Sequence, residues 1–255
     1  MFPRPSGFVT LLTDFGTRDP YVGIMKGALL RAHPKVTVFD LGHDVPPQDV
    51  TVGAFFLAAA IDRFPAGTVH TAVVDPGVGT QRRVIAVAAR ETFWLAPDNG
   101  LLTEVIASDP AAEVRAVDIG NLNLAPASRT FHGRDVFAPL AAWLAGGRYG
   151  FTALGPRIAD SVAMSPLFDG PPRVVHVDGY GNLITNVRAQ ALSVVAAVQV
   201  GGRRIAVHGT YADVAPGDLL GLVGSYGLLE VAENGGNAAA TLGLQRGAPV
   251  ELMLA

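Results

Sequence analysis

The chain has 255 residues, a net charge of −3, 16% charged residues and 49% hydrophobic residues. That balance excludes a disordered chain and gives no basic field for a nucleic acid or an anionic membrane surface. With no cysteine, disulfides, thiolate nucleophiles and cysteine-based metal sites are excluded. Met1-Phe2-Pro3-Arg4-Pro5 has no apolar signal core behind it. The longest apolar run, Val52 to Ile61, is far short of the ~20 residues of a spanning helix. A soluble, cytoplasmic protein is the expectation.

In chain order, Phe8 to Thr13 is an apolar strand ending in Thr13-Asp14-Phe15-Gly16. Asp19-Pro20 reads as an N-cap and first helical position, and Val22, Met25, Ala28, Leu29 and Ala32 recur at helical spacing. Val36 to Leu41 is the next strand, which makes a βαβ unit and implies a parallel pair. A helix from Val50 to Phe64 and a strand from Thr68 to Val74 follow. That strand runs into Asp75-Pro76-Gly77-Val78-Gly79-Thr80-Gln81-Arg82-Arg83. Pro76, Gly77 and Gly79 force a tight turn, so Asp75 stands at a strand mouth, where α/β sheets present ligand-binding groups. Arg82 can fold back beside it and favour its charged form. The plain alternative is a structural ion pair closing a turn. Val84 to Ala89 and Phe93 to Ala96 form a β pair, Asn99 to Ser108 is helical, and Val114 to Asp118 is a short strand. Phe131-His132-Gly133-Arg134-Asp135 precedes a helix from Val136 to Ala145, with Asp135 as its cap.

The texture changes after residue 150. Residues 154–172 hold four prolines among Gly, Asp and Ser and read as a linker between a domain of residues 1–153 and one of residues 173–255. Beyond the linker, short β-like runs replace helical periodicity: Arg173 to Val177, Leu183 to Asn186, Ala196 to Val200, Arg204 to Val207, Leu219 to Val223, Leu228 to Val231 and Val250 to Leu254. The fold expectation is an N-terminal α/β sheet domain layered by helices, followed by a smaller all-β barrel domain.

Among the chemistry-bearing residues, Asp14 shares the strand mouth with Asp75, although an aspartate there also caps loops. His132 lies in a polar loop before a helix, where a lone histidine more often merely caps or packs. A metal site from Asp14, Asp75 and His132 is conceivable, but no paired ligand spacing supports it. Gly77-Val78-Gly79 fails as a dinucleotide fingerprint because a strand follows it, and no Gly-x-Ser-x-Gly elbow is present. The stretches Asp178 to Asn186 and Gly224 to Asn234 are dense in hydrogen-bonding groups around aromatic rings. They read either as ordinary turns or as a nucleoside pocket, since a tyrosine stacks on a flat base while amides read its edge.

Six stretches in this order resemble the S-adenosyl-L-methionine (SAM) hydroxide adenosyltransferases, relatives of the fluorinase and chlorinase. They are Thr13-Asp14-Phe15-Gly16, Val74-Asp75-Pro76-Gly77-Val78-Gly79-Thr80, Pro97-Asp98-Asn99-Gly100, Thr130 to Asp135, Asp178 to Asn182 and Gly224 to Gly227. The resemblance implies a homotrimer with active sites shared between subunits, no cofactor or metal, and hydrolysis of SAM to adenosine and L-methionine. It puts the reaction on Asp75, Arg82 and His132, and the ribose hydroxyls on Asp14. Asp19, Tyr21, Gln48 and Gly133 join the substrate contacts in the first domain. In the second, Asp178 and Ser225 match the methionine end, and Tyr180, Asn182, Tyr226, Glu233, Asn234 and Gly235 match the adenine and methionine contacts. Two departures from the halogenases stand out. Gln48 replaces an aromatic base-stacking residue, and Asp75 and Gly133 replace Tyr and Ser in the halide pocket. The rival readings are a halogenase on the same scaffold, a non-catalytic SAM or adenosine sensor, and a metal-dependent hydrolase.

Overall fold

The computed structural model describes residues 2–192 and 195–254. It divides into two compact units, Met1–Met164 and Ser165–Ala255.

The first unit runs β1 (Phe8–Thr13), α1 (Tyr21–Ala32), β2 (Thr37–Gly42), α2 (Val50–Ala60), β3 (Val69–Val73), β4 (Val84–Ala89), β5 (Thr92–Pro97), α3 (Thr103–Ala107), β6 (Glu113–Ala116), α4 (Ala138–Ala145) and β7 (Arg157–Ile158). Its sheet has the order β2-β1-β3-β5-β4-β6-β7. The β1–β2, β1–β3 and β3–β5 pairs are parallel, and the pairs from β5 onward to β7 are antiparallel. Every residue of β3, β4 and β5 is buried, which explains why their sequences are largely apolar. On one face Val9, Leu11, Val69 and Val73 join Met25 and Leu29 of α1 and Leu140 and Leu144 of α4 in one core. Helices α2 and α3 pack together outside that core. Gly53 of α2 eases that contact, because a Cβ at this position would lie 2.7 Å from Leu101 Cδ1.

Local chemistry shifts several expected boundaries. The first helix starts at Tyr21, with Pro20 at the N-cap position and no side-chain cap, so Asp19 does not cap it. Asn99 Oδ1 accepts from Leu101 N at 3.2 Å and Gly100 takes φ +93°; this turn delays α3 to Thr103. Asp62 takes φ +59° just past α2, which ends that helix before Phe64. Gly133–Phe137 forms a π-turn ahead of α4, and Asp135 lies inside it. In the segment read as a linker, Arg157–Ile158 supplies the edge strand β7.

The second unit is β8 (Val174–Val177), β9 (Leu183–Arg188), β10 (Val195–Val200), β11 (Arg203–Ala206), β12 (Leu219–Val223), β13 (Leu228–Glu233), α5 (Ala238–Leu242) and β14 (Val250–Leu254). Two antiparallel sheets, β11-β10-β14 and β12-β13-β9-β8, enclose a core that includes Leu183, Val198, Leu229 and Val231. The sheet edges meet at two isolated bridges, Arg173↔Pro249 and Val207↔Gly221. Strand edges that pair in this way leave few unsatisfied backbone groups.

Thr10, His70 and Trp94 are directly opposed across β1, β3 and β5. Thr10 Oγ1 lies 2.9 Å from His70 Nδ1, and the His70 ring stacks on Trp94 at 4.0 Å between centroids. Burial pushes the His70 imidazole down from 6.5 to about 3. Its folded form is therefore neutral at pH values where the unfolded chain binds a proton, so this histidine costs stability as pH falls below 6.5 towards 3. The double variant Thr10→Val/His70→Phe removes the titrating group with its hydroxyl partner. We expect its unfolding free energy, measured by urea titration, to fall less steeply with acidification over that window, by up to about one proton.

Candidate active site

The first unit carries a cavity of about 600 Å³ whose walls come from the loops after β1, β2 and β3 and from the segment before the π-turn. The loop after β3 is built by local bonds. Val78 N donates to Asp75 O at 3.2 Å, and the Thr80 hydroxyl donates to Gly77 O at 2.7 Å while accepting from Arg82 N at 3.3 Å. Gly79 is required at φ +79°, since a Cβ would lie 2.7 Å from Arg129 O. Asn99 Nδ2 donates to Val74 O at 2.9 Å and anchors the start of the loop. The seven-residue return brings Arg82 back onto Asp75.

Arg82 Nε donates to Asp75 Oδ1 at 2.9 Å, and Nη2 donates to Asp75 Oδ2. This is a two-pronged guanidinium–carboxylate pair. The Asp75 and Arg82 side chains are 5% and 10% exposed, so the pair is largely shielded from solvent. Arg82 Nη2 also lies 3.0 Å from His132 Nδ1. A guanidinium has only donors, so Nδ1 is the unprotonated nitrogen and His132 carries its proton on Nε2. Burial lowers the His132 pKa below 6.5, and the Arg82 charge lowers it further against the weaker upward pull of Asp75 and Asp135. His132 is thus held neutral, with Nδ1 committed to Arg82.

Asp75 and His132 line the cavity with Asp14, Tyr21, Gln48 and Gly133. Asp14 Oδ2 accepts from Gln48 N at 2.8 Å. Gln48 adopts φ +64°, a left-handed conformation that is costly for a non-glycine residue. Gly133 lets the Phe15 ring come close, because a Cβ there would meet it at 3.3 Å. Phe15, Tyr21 and Phe131 form a tilted and edge-on aromatic cluster with centroids 5.5–6.1 Å apart. Asp19 is exposed and lies outside the cavity lining. Phe15 and Phe131 were inside motifs singled out in the sequence, but their part in the wall became visible only on folding.

The second unit has its own cavity, of about 530 Å³, lined by Tyr180, Asn182, Tyr211, Glu233, Asn234, Gly235 and Gly236. Asp178 Oδ1 accepts from Tyr180 N and Asn182 N, both at 2.9 Å, and its Oδ2 accepts from Asn182 Nδ2 at 3.0 Å. Ser225 and Tyr226 sit in the β12–β13 turn, which Gly227 N closes onto Gly224 O at 2.9 Å; they do not line this cavity. Tyr211 was not read from the sequence, and Glu230 only as one residue of the polar stretch Gly224 to Asn234. They lie 19 positions apart, and only the strand pairing brings the Tyr211 hydroxyl onto Glu230 Oε1 at 2.6 Å.

A family model described as the SAM hydroxide adenosyltransferase N-terminal domain matches residues 9–155, and its C-terminal counterpart matches residues 172–251. The chain belongs to this family. It is 42% identical over 256 residues to the (R)-S-adenosyl-L-methionine hydrolase of Thermus thermophilus, covering 96% of this chain and 99% of that one. It is 41% identical to the protein of the same name from Salinispora tropica, over 95% of this chain and 96% of the other. The fluorinase of an Actinoplanes species is more distant, at 26% identity over 95% and 96% of the two chains. Among solved structures, an uncharacterized conserved protein from Thermotoga maritima superposes with a TM-score of 0.88 at 34% identity, covering 96% of this chain and 99% of its own. Among the described residues no group of three or more histidines and carboxylates is arranged to hold a metal ion, and no helix is long and apolar enough to cross a membrane.

The Arg82 contact makes a spectroscopic prediction. In Arg82→Gln the cationic neighbour is gone while much of the burial remains. The His132 imidazole, followed by NMR against pH, should titrate higher than in the wild type, which itself titrates below 6.5. An unchanged His132 titration would mean that Arg82 does not control it.

Proposed function

We propose that this chain hydrolyses SAM to adenosine and L-methionine by in-line attack of water on C5′. The Asp75–Arg82–His132 cluster at the wall of the first cavity carries the reading. Family membership and the 41–42% identity to two hydrolases support it. Their name specifies the (R) sulfonium, and we extend that epimer to this chain.

The chemistry suits the residues. As the water oxygen bonds to C5′, the C5′–S bond breaks and its electron pair returns to sulfur. A cation becomes a neutral thioether, so the leaving group needs no proton. What the site must supply is a positioned water and an acceptor for its proton. Asp75 is assigned that acceptor role. Arg82 holds both carboxylate oxygens in place, and its third contact fixes the His132 tautomer. The His132 Nε2–H is then a donor that holds the developing hydroxide. Asp14, near Gln48, is assigned the ribose hydroxyls.

A halogenase is the nearest rival. A carboxylate at Asp75 repels a halide ion, and the fluorinase relatives are more distant than the hydrolases. Incubation with SAM plus chloride or fluoride, followed by chromatography, separates them: adenosine alone is expected, and a 5′-halo nucleoside would overturn the hydrolase assignment. A non-catalytic sensor would leave SAM intact in the same experiment.

We further propose a homotrimer whose sites are completed between subunits. Every residue lining the first cavity belongs to the first unit, and every residue lining the second belongs to the second. Each cavity alone offers part of the contacts that the resemblance implies. Activity per chain should fall on dilution to the monomer, checked by light scattering alongside adenosine release. A monomer as active as the assembly would refute a shared site.

Asp75→Asn tests the mechanism. The amide keeps the size of the side chain but neither accepts a proton nor balances Arg82. Turnover should drop by about 10²-fold or more, the scale for a lost general base, with SAM affinity nearly intact. A role confined to closing the turn would lower the melting temperature and leave turnover per folded molecule unchanged. Arg82→Lys should be milder than Arg82→Ala, since charge survives without the planar fork.

A further inference from the structure

The second cavity has a feature that neither the motifs nor the proposed reaction uses. Glu230 is a buried acid, 7% exposed, directly behind the residues that line the cavity. Its Oε1 accepts from the Tyr211 hydroxyl at 2.6 Å. Gly224 leaves it room, because a Cβ there would lie 2.0 Å from Glu230 Oε2. With its proton directed to Glu230, the Tyr211 oxygen has lone pairs to offer, and Asn182 Nδ2 lies 3.3 Å from it. The same Nδ2 donates to Asp178 Oδ2 at 3.0 Å. Acids therefore stand at both ends of this chain, one bonded to the amide and one acting through a phenol.

The consequence is a fixed polarity. An asparagine amide can turn either end towards a ligand. Here both amide hydrogens face acceptors inside the protein. A flipped Asn182 would set its carbonyl oxygen against the Asp178 carboxylate and the Tyr211 oxygen. That leaves Oδ1 as the end not used in these contacts, on a residue that lines the cavity. The cavity also holds the exposed Tyr180 and the backbone of Gly235 and Gly236. An exposed aromatic ring beside one outward acceptor suits a flat heterocycle that carries a donor.

We propose that Glu230 and Tyr211 are positioning residues that lock Asn182 with its carbonyl outward, so that the second unit selects a purine nucleoside bearing an exocyclic amine over its oxo counterpart. This rests on reading the second cavity as the nucleoside side of the site. An amine donates to Oδ1, whereas an oxo group in its place sets two acceptors against each other, and a site built for one such bond rejects the analogue that lacks the donor.

Adenosine and inosine differ at that position and serve as probes. Calorimetry on the full-length protein in its native assembly should show adenosine bound at least about tenfold more tightly than inosine. Tyr211→Phe removes the link, and Glu230→Gln supplies a donor where the carboxylate only accepts. Either should lower the adenosine-to-inosine affinity ratio severalfold, to about tenfold for Tyr211→Phe. A merely structural role would change the melting temperature, or weaken both nucleosides alike, and leave the ratio unmoved. Equal wild-type affinities, or an undiminished ratio in a folded variant, would overturn the inference. Binding of neither nucleoside would overturn the nucleoside reading of the cavity and this inference with it. SAM turnover by the same wild-type preparation reports separately on the proposed reaction.

Discussion

Arg82 contacts two groups that on their own are free to choose. A carboxylate can rotate, and an imidazole can carry its proton on either nitrogen. The guanidinium accepts nothing, so it orients Asp75 by a two-point contact and leaves His132 one tautomer. It also stands 5.8 Å from the Phe137 ring centroid, which places an aromatic face of the π-turn near its plane. The three side chains come from distinct elements: the end of β3, the return of its loop, and the segment before the π-turn. That segment is followed by Gly133, and the close approach of Phe15 depends on its missing side chain. The turn after β3, the π-turn and the sheet order converge on keeping one cation in one position.

The large sheet explains why the position is available. Strands β1 and β3 are parallel neighbours, so Asp14 and Asp75 emerge at the same end. This is the usual place for ligands in sheets of this kind. The antiparallel hairpin of β4 and β5 then carries the chain away, and the Asn99 side chain after β5 returns to hold Val74. Buried acids and bases elsewhere serve other ends. His70 is neutral, stacked on Trp94, and adds rigidity under the sheet at a cost that grows in acid.

Much of this was legible in the sequence, and the parts that were not have a common cause. Strand β4 announced itself as an unbroken apolar run, and β3 as an apolar run broken by His70 and Thr71, because both are buried on both faces. Asp75 and Arg82 could be paired because a loop rich in glycine and proline has few ways to run for seven residues. His132 stood out through its polar flanks, but nothing in the sequence measured its 50-residue reach to Arg82. Helix starts failed where a side chain competed with the backbone, as Asn99 does before α3 and as the Pro20 turn does before α1. The π-turn has no sequence signature that a 3.6-residue period would detect. Tyr211, and its pairing with Glu230, escaped because an isolated tyrosine and a glutamate inside a strand look ordinary until β13 is paired with β9 and β12.

Both units use one physical device. A group with a single hydrogen-bonding sign is set against an ambivalent neighbour and removes its choice. In the first unit a pure donor, Arg82, fixes an imidazole. In the second, acids at both ends fix an amide, with the Tyr211 hydroxyl carrying the polarity from Glu230 to Asn182. The cost of each choice is met before any ligand arrives, since the partners are already aligned. Reversing either group would leave like signs facing each other in a poorly solvated place, where an unmet polar group costs about 1–3 kcal/mol. That penalty exceeds thermal energy, so the His132 tautomer and the Asn182 orientation are properties of the folded chain, and a substrate meets them already set.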